Sequence, residues 1–232
     1  MLKTFAFAAS LTAAQVAAVP GAHAADPAPA ATPHTPTDLE KAQDALAANR
    51  FDDALALVDP IIAKALAGDA KSSSAVCPGD AVQFLQAIMA KSDPNLVVSV
   101  DNDWCRAMFI KGFVLNALNR NEEAADTLGV LVKHDRNRPN VWAEYAYALV
   151  QSQQLDAAQK AYQRAAALAG KMPAEADRHH WRAVALRGQG YIAFDRANWA
   201  EAEKLYRASL VEEPGNPIAT SELAQIAQRR AQ

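Results

Sequence analysis

Two stretches of the chain repeat the same order of apolar, small and polar positions. Residues 138–168 and 183–214 each read as an amphipathic helix, a short polar turn and a second amphipathic helix. In each stretch a small residue stands where one helix must approach the other. A single pair of this kind cannot bury its apolar face alone, so the pattern predicts a stack of helix pairs.

The repeats align on their small residues. Each second helix carries an early alanine: Ala124, Ala158 and Ala202. Twelve positions earlier, each first helix carries another small residue: Gly112, Ala146 and Gly190. Four positions after each alanine comes a large side chain: Leu128, Tyr162 and Tyr206. We expect the three alanines to occupy equivalent buried positions in successive units.

The units are spaced regularly with one insertion. Units two and three begin at Cys105 and Pro139, which are 34 residues apart, and unit four begins at Ala183 after ten extra residues. This pattern resembles the tetratricopeptide repeat (TPR) family, whose repeat is a helix–turn–helix of about 34 residues. The resemblance covers residues 105–214 and extends more weakly to residues 37–66, the first unit.

The resemblance implies a fold class and a partner-binding surface. We expect an all-α fold, a right-handed α-solenoid of antiparallel helix pairs with a C-terminal capping helix at residues 217–231. Unit two departs from the family at Met108 and Lys111. Because burying an ammonium is costly, we expect Lys111 to extend its charge outward.

The first residues are typical of an export signal. Lys3 precedes an apolar run over residues 5–19, and Ala22-His23-Ala24 has the small-x-small pattern of a signal-peptidase site. The alternative is a membrane anchor, but the run is shorter than the roughly 20 residues that span a bilayer. We therefore expect a signal peptide at residues 1–24, cleaved after Ala24, a periplasmic location, and no membrane span in the mature chain.

The rest of the chain divides by composition. Residues 25–36 are rich in alanine and proline and predict a disordered tether. Residues 37–232 predict the TPR-like solenoid, which starts with a capping box at Thr37 and contains a proline, Pro60, that predicts a kink or an early helix break. Residues 67–104 are irregular; a helix over 80–91 and a degenerate repeat are both compatible with them.

The two cysteines, Cys77 and Cys105, predict a disulfide in an exported protein. Two reduced, buried thiols are the alternative. A bridge would close a loop whose entropy contributes about 3–4 kcal/mol to stability. It would tie the irregular segment to the first helix of unit two.

Charge and motifs exclude several classes of function. Without residues 1–24 the chain has 22 basic and 26 acidic side chains, a net charge of −4, which gives no footprint for nucleic acid. His179-His180 are adjacent on a helix and are better explained by a solvated face than by a metal site. Gly188-Gln189-Gly190 has no strand before it, so a dinucleotide fingerprint fails. We expect no enzymatic activity and no cofactor.

The resemblance places a groove on the first helices. The residues that would line it in units two to four are Arg106, Phe109, Phe113 and Asn116; Asn140, Ala143, Tyr147 and Val150; and Val184, Arg187, Tyr191 and Phe194. Aromatic side chains with a few Asn and Arg residues are typical of a peptide-binding hot spot. The alternative is that some of these rings cover the core.

These observations favour a non-enzymatic protein–protein interaction module or scaffold of the cell envelope. It would dock a protein or peptide segment in the concave groove. One alternative is a structural assembly subunit of a larger envelope complex. Another is a ligand-binding or enzymatic protein that uses residues 67–104, where Asp101, Asn102 and Asp103 could hold calcium but more readily cap a helix.

Overall fold

The computed structural model describes residues 35–67, 77, 85, 89 and 103–231. These residues form nine long helices and no strand. The helices are α1 (Asp38–Ala47), α2 (Phe51–Ala67), α3 (Asp103–Ala117), α4 (Asn121–His134), α5 (Pro139–Gln151), α6 (Leu155–Ala169), α7 (Glu175–Asp195), α8 (Trp199–Glu212) and α9 (Pro217–Arg230). The fold is an all-α solenoid of four helix pairs followed by a single helix.

One turn geometry recurs inside all four pairs. The residue at each turn has a left-handed backbone, with φ between 55° and 60°: Asn49, Asn119, Gln153 and Ala197. The next residue donates its N–H to the carbonyl five positions earlier, as Arg120 does to Leu115 at 2.9 Å. This bond closes the C-terminus of the first helix and reverses the chain.

The predicted small-residue positions are confirmed. Ala124, Ala158 and Ala202 each lie five residues after a left-handed turn residue, and each is 0 % exposed. Ala54 of α2 has the same place and the same exposure, which adds the first pair to the series. The four pairs therefore share one interior position, and their arrangement is TPR-like.

The glycines of the first helices contact the large side chains that were aligned with them. A Cβ on Gly112 would lie 2.4 Å from Leu128 Cγ, and one on Gly190 would lie 3.2 Å from the Tyr206 ring. A Cβ on Gly188 would lie 2.2 Å from the ring of Tyr162 in the preceding pair. Gly112 and Gly188 are therefore places where only a hydrogen fits.

Pro60 does not break α2, so the predicted early break is wrong. The helix continues from Phe51 to Ala67 with Pro60 inside it. A proline removes the hydrogen bond to the carbonyl four residues earlier, which belongs here to Ala56. Both residues are exposed, so water can reach that carbonyl. Val58 and Ile62 are buried, and their burial favours an unbroken helix.

The first pair stacks directly on the second. Both α1 and α2 contact α3, just as the members of later pairs contact the next first helix. Most of residues 67–104 lie outside the described part of the chain, so the degenerate repeat that their sequence allows stays a prediction. Most of the helix predicted over 80–91 lies outside the described residues; Leu85 and Met89, which are described, have helical backbone and are exposed.

Lys111 behaves as expected. Its side chain is 29 % exposed, and its Nζ lies 2.7 Å from the Asp59 carboxylate on α2. The aliphatic part of Lys111 thus covers the junction of the first two pairs while its charge stays at the surface.

The predicted disulfide is present. Cys77 and Cys105 are joined, with their Cα atoms 6.0 Å apart, and both are almost fully buried. The Cys77 N–H also donates to the His134 carbonyl at the end of α4, at 2.8 Å. Residue 77 is therefore attached to the start of α3 and to the end of α4.

The ends of the solenoid begin and finish with capped helices. Thr37 and Glu40 form the predicted capping box of α1. Asn216 accepts from the N–H groups of Ile218 and Ala219 and so caps α9. The residues of the predicted signal peptide and most of the tether lie outside the described part of the chain. Within the described part, every helix is too short or too polar to cross a bilayer.

Candidate functional site

The first helices of the pairs form the inner surface of the stack. α1, α3, α5 and α7 contact one another in sequence, whereas the second helices of neighbouring pairs make at most marginal contact. A stack whose first helices are closer together curves toward them. We call the surface of α3, α5 and α7 that is turned inward the concave face.

Five of the predicted groove residues on these three helices are aromatic and partly exposed: Phe109, Phe113, Tyr147, Tyr191 and Phe194. Phe194 packs edge-on against Trp199 of α8, with 4.9 Å between ring centroids. The Arg138 guanidinium lies 5.9 Å from the centre of the Phe109 ring. Phe194 is thus held by its own pair and Phe109 by a residue of the next unit.

Asn116 and Glu144 join the first helices of two units. The Asn116 Nδ2 donates to the Glu144 backbone carbonyl and to its Oε2, both at 3.2 Å. Asn116 is only 5 % exposed, whereas Glu144 is partly exposed. Burial raises the pKa of the Glu144 carboxyl to about 7, although the hydrogen bond from Asn116 acts in the opposite direction.

Two tyrosines lie close to this carboxyl. Burial raises the pKa of Tyr147, and the charges of Glu144 and Tyr191 add to the effect. Burial also raises the pKa of Tyr162 on α6, which the Glu144 charge raises further. The Glu144 carboxyl therefore sits among aromatic side chains from its own helix and from the helix paired with it.

Arg187 is a buried cation with a partner. Its side chain is 5 % exposed, and its Nη1 donates to Glu213 Oε2 at 2.5 Å. The same Glu213 oxygen accepts from Asn216 Nδ2 at 3.0 Å. Arg187 thus joins α7 to the start of α9 and is neutralised there, as a buried charge must be.

Glu222 of α9 is a second buried carboxyl beside the aromatic residues. It is 3 % exposed and accepts from Gln225 Nε2 at 3.3 Å. Burial raises its pKa, and its charge in turn raises the pKa of Tyr191 and Tyr206. The last helix therefore places a buried carboxyl near these tyrosines as well as covering the end of the stack.

The structure divides the predicted groove residues into two groups. Those that are exposed or partly exposed are Arg106, Phe109, Phe113, Asn140, Tyr147, Val184, Tyr191 and Phe194. Those that are buried are Asn116, Ala143, Val150 and Arg187. The buried group lies beneath the surface, where Asn116 contacts Glu144 and Arg187 contacts Glu213. The predicted contact of these two residues with a partner stays a prediction.

The adjacent histidines bind acidic side chains of the same pair. His179 Nδ1 lies 2.6 Å from Glu212 Oε2, and Arg182 lies 2.8 Å from the other oxygen of that carboxylate. His180 Nδ1 lies 3.8 Å from Glu213. Both histidines face the end of α8, which links the longest helix, α7, to its partner. Among the described residues, no three His, Cys, Asp or Glu side chains are arranged to hold a metal ion.

The sequence patterns did not predict the buried positions of the Glu144 and Glu222 carboxyls or the contact of Gly188 with Tyr162. A signal for Glu144 exists, because it is the only charged residue in α5, and it stands between aromatic residues. Glu222 lies 78 residues after Glu144. This distance is the sum of one regular spacing of 34 residues and the spacing that is ten residues longer, so the alignment of the repeats could have shown that the two glutamates occupy equivalent positions. Gly188 has no such signal, because its contact is with the preceding pair.

No protein-family model matches this sequence, and no curated protein does. Solved structures similar to the chain are TPR domains. The first TPR of Spaghetti (RPAP3) bound to the HSP90 peptide SRMEEVD is 26 % identical, with a TM-score of 0.49; the match covers 57 % of this chain and 98 % of that one. The first TPR domain of human RPAP3 is 25 % identical, with a TM-score of 0.47 over 55 % of this chain and 92 % of its own.

A third similar structure spans more of the chain. YrrB, described as a TPR protein with an unusual peptide-binding site, is 17 % identical with a TM-score of 0.45, and the match covers 80 % of this chain and 89 % of that one.

Proposed function

We propose that this protein is an interaction module or scaffold of the cell envelope that docks an extended or helical segment of a protein partner on its concave face. The observation that carries the proposal is the row of partly exposed aromatic residues on three adjacent first helices, with Tyr147 and Tyr191 at its centre. Tyrosine supplies a large, rigid contact area at a small entropic cost, which favours it at binding surfaces.

The envelope location is supported by two features of different kinds. The leader-like sequence at residues 1–24 is typical of an exported protein, and we propose cleavage after Ala24 into the periplasm. The buried disulfide between Cys77 and Cys105 fits an oxidising compartment. An exported bacterial member of the TPR family would combine both features with this fold.

The rigid support under the aromatic row favours binding over catalysis. Asn116 and Arg187 are buried and hydrogen-bonded beneath it, so the surface is preorganised by its own polar contacts. A preformed surface loses little entropy when a partner segment docks. A structural assembly subunit would instead use the outer surface of the second helices.

The test is a pair of double variants compared on the full exported chain. Tyr147→Ala with Tyr191→Ala removes the centre of the aromatic row, and Val130→Ala with Val211→Ala removes exposed apolar side chains from the second helices. We expect unchanged helicity by circular dichroism in both. After crosslinking in cells, mass spectrometry of the envelope extracts should show that only the tyrosine variant loses its partner.

Two results would count against the proposal. Partner capture that survives the tyrosine variant would exclude docking on the concave face. Loss of capture in the valine variant alone would favour an assembly subunit that uses the outer surface.

A further inference from the structure

The Asn116 amide has one unused hydrogen-bonding atom in a buried place. Its Nδ2 faces two acceptors, the Glu144 carbonyl and carboxylate oxygens, so the amide orientation is fixed by chemistry. That orientation leaves Oδ1 buried without a hydrogen-bond partner. A buried acceptor without a donor lowers stability, so an unused acceptor of this kind is unusual in a helix-rich core.

The Glu144 carboxyl beside it also lacks a cation. Among the described residues, no Lys, Arg or His nitrogen lies within 4 Å of this carboxylate, and the Arg187 charge is already taken by Glu213. Glu144 is nevertheless partly exposed on the concave face. The site thus presents an unpaired amide oxygen next to a carboxylate that accepts from Asn116 and has no cation beside it among the described residues.

Aromatic rings complete the surroundings. Tyr147 of α5 and Tyr162 of α6 are close enough to respond to the Glu144 charge, and Tyr147 is partly exposed. The faces of tyrosine rings attract cations. Carboxylate, amide oxygen and ring face are the three kinds of group that together bind an alkylammonium ion.

We propose that Asn116 and Glu144 form a subsite of the concave face that binds a lysine side chain of the docked partner segment. The ammonium donates to the Glu144 carboxylate and, after a rotation of the Glu144 side chain, to Asn116 Oδ1. Lysine fits better than arginine because Oε2 of the Glu144 carboxylate already accepts from Asn116, so the carboxylate does not offer the two free parallel acceptors that a guanidinium prefers. This inference rests on the proposed docking function and specifies its partner as a segment with a basic residue.

The experiment uses three blocked heptapeptides of alanine and leucine that differ only at the central residue: lysine, norleucine or glutamate. Norleucine keeps the aliphatic stem of lysine and removes the charge. Each peptide is titrated into the isotope-labelled protein, and binding is followed by the chemical shifts of the Asn116 side-chain amide and the Tyr147 ring. We expect the lysine peptide to bind at least about tenfold more tightly than the norleucine peptide, and the glutamate peptide to bind least.

Two variants identify the source of that preference. Glu144→Gln keeps the shape and the hydrogen bond to Asn116 but removes the charge, so it should equalise lysine and norleucine. Glu222→Gln is the matched control, since it removes a charge from another carboxyl near the tyrosines that is only 3 % exposed. It should leave the tenfold preference in place.

The pH profile gives a second readout. The pKa of Glu144 is about 7, and among the described residues the titratable groups that its charge affects are Tyr147 and Tyr162, which stay neutral in this range because burial raises the pKa of both. A lysine ammonium stays charged, so its binding should strengthen about tenfold from pH 6 to pH 8 as the carboxyl ionises, and norleucine binding should not change.

The possible outcomes distinguish a failure of the lysine subsite from a failure of the proposed docking function. Equal binding of lysine and norleucine peptides to the natural chain, or a lysine preference that survives Glu144→Gln, overturns the lysine subsite and leaves docking intact. If neither the lysine nor the norleucine peptide causes saturable chemical-shift changes, the subsite is overturned, and the result counts against docking on this face as well.

Discussion

The interior of each helix pair and the concave face of the stack obey different rules. Inside the pairs, Ala54, Ala124, Ala158 and Ala202 repeat the same buried position without variation in size. On the concave face the corresponding positions differ from unit to unit, and the buried polar residues there, Asn116 and Arg187, have different partners. The repeated positions determine the fold, and the positions that differ are the ones that can select a partner.

The largest expected effect comes from enlarging Gly188, a buried glycine that contacts the preceding pair. Gly188→Ala would place a Cβ 2.2 Å from the ring of Tyr162, which is 3 % exposed and has no room to move. We expect a loss of about 1–3 kcal/mol in the free energy of unfolding, despite the better helix propensity of alanine. Chemical denaturation measures it.

Gly190→Ala is the matched control for that change. Its Cβ would lie 3.2 Å from the Tyr206 ring, which requires a shift of a few tenths of an ångström. We expect the gain in helix propensity to offset the crowding, with a net change within about 1 kcal/mol of zero. Equal losses of stability in Gly188→Ala and Gly190→Ala would show that the difference between a 2.2 Å and a 3.2 Å contact does not determine stability.

A second prediction concerns the charge on the concave face and its effect on stability. The pKa of Glu144 rises from 4.5 in the unfolded chain to about 7 in the folded one, so the folded state binds more protons between these values. Stability therefore falls as pH rises from about 4.5 to about 7 and levels off above it. Glu144→Gln should remove this dependence and be more stable than the natural chain at pH 8 by about 1 kcal/mol, with little difference at pH 4.

Thermal unfolding of the natural chain and of Glu144→Gln between pH 4 and pH 8 measures whether stability falls or rises with pH. Glu122→Gln, an exposed glutamate on α4, controls for the change in net charge. A natural chain that becomes more stable toward pH 8 would contradict the prediction.

The left-handed turns offer a stabilising change outside both regions. Ala197 has φ of 55°, a conformation that asparagine tolerates better than alanine. Asn119 already occupies the equivalent turn of an earlier pair. We expect Ala197→Asn to stabilise the protein by about 0.5–1 kcal/mol, seen as a higher melting temperature with unchanged peptide binding. No gain would mean that the helix packing alone sets the turn.

The smallest expected effect is at the surface ion pair between the first two pairs. Lys111→Met keeps the aliphatic cover and removes the bond to Asp59, which is half exposed. Exposed ion pairs contribute little, so we expect a change below about 0.5 kcal/mol, reduced further by salt. A larger loss in denaturation would show that this junction depends on charge more than on packing.

The fold could be predicted from the sequence because its determinants are local and repeated. The spacing of Gly112, Ala124 and Leu128 is set by helix geometry and recurs in later units, so the pattern indicates the pair without any long-range information. Pro60 misled the prediction because local propensity gives way to the burial of Val58 and Ile62 on either side of it.

The candidate site could be predicted only in outline. The exposed tyrosines follow from the same spacing, but the bond between Asn116 and Glu144 joins residues 28 positions apart in different units. Its existence depends on how one pair rotates against the next, which no single-helix pattern contains. The contact of Gly188 with Tyr162 has the same origin, since it also joins residues of two neighbouring pairs.

The double attachment of residue 77 affects how the protein must be handled. Reduction by a thiol such as dithiothreitol in a purification buffer would remove the covalent link between Cys77 and Cys105. The backbone hydrogen bond to His134 and the burial of residue 77 would then have to hold it against the start of α3 and the end of α4. Samples prepared from a reducing cytoplasm and samples secreted through an oxidising compartment are chemically different molecules. Binding constants from the two should be compared only after the thiol content of each has been titrated.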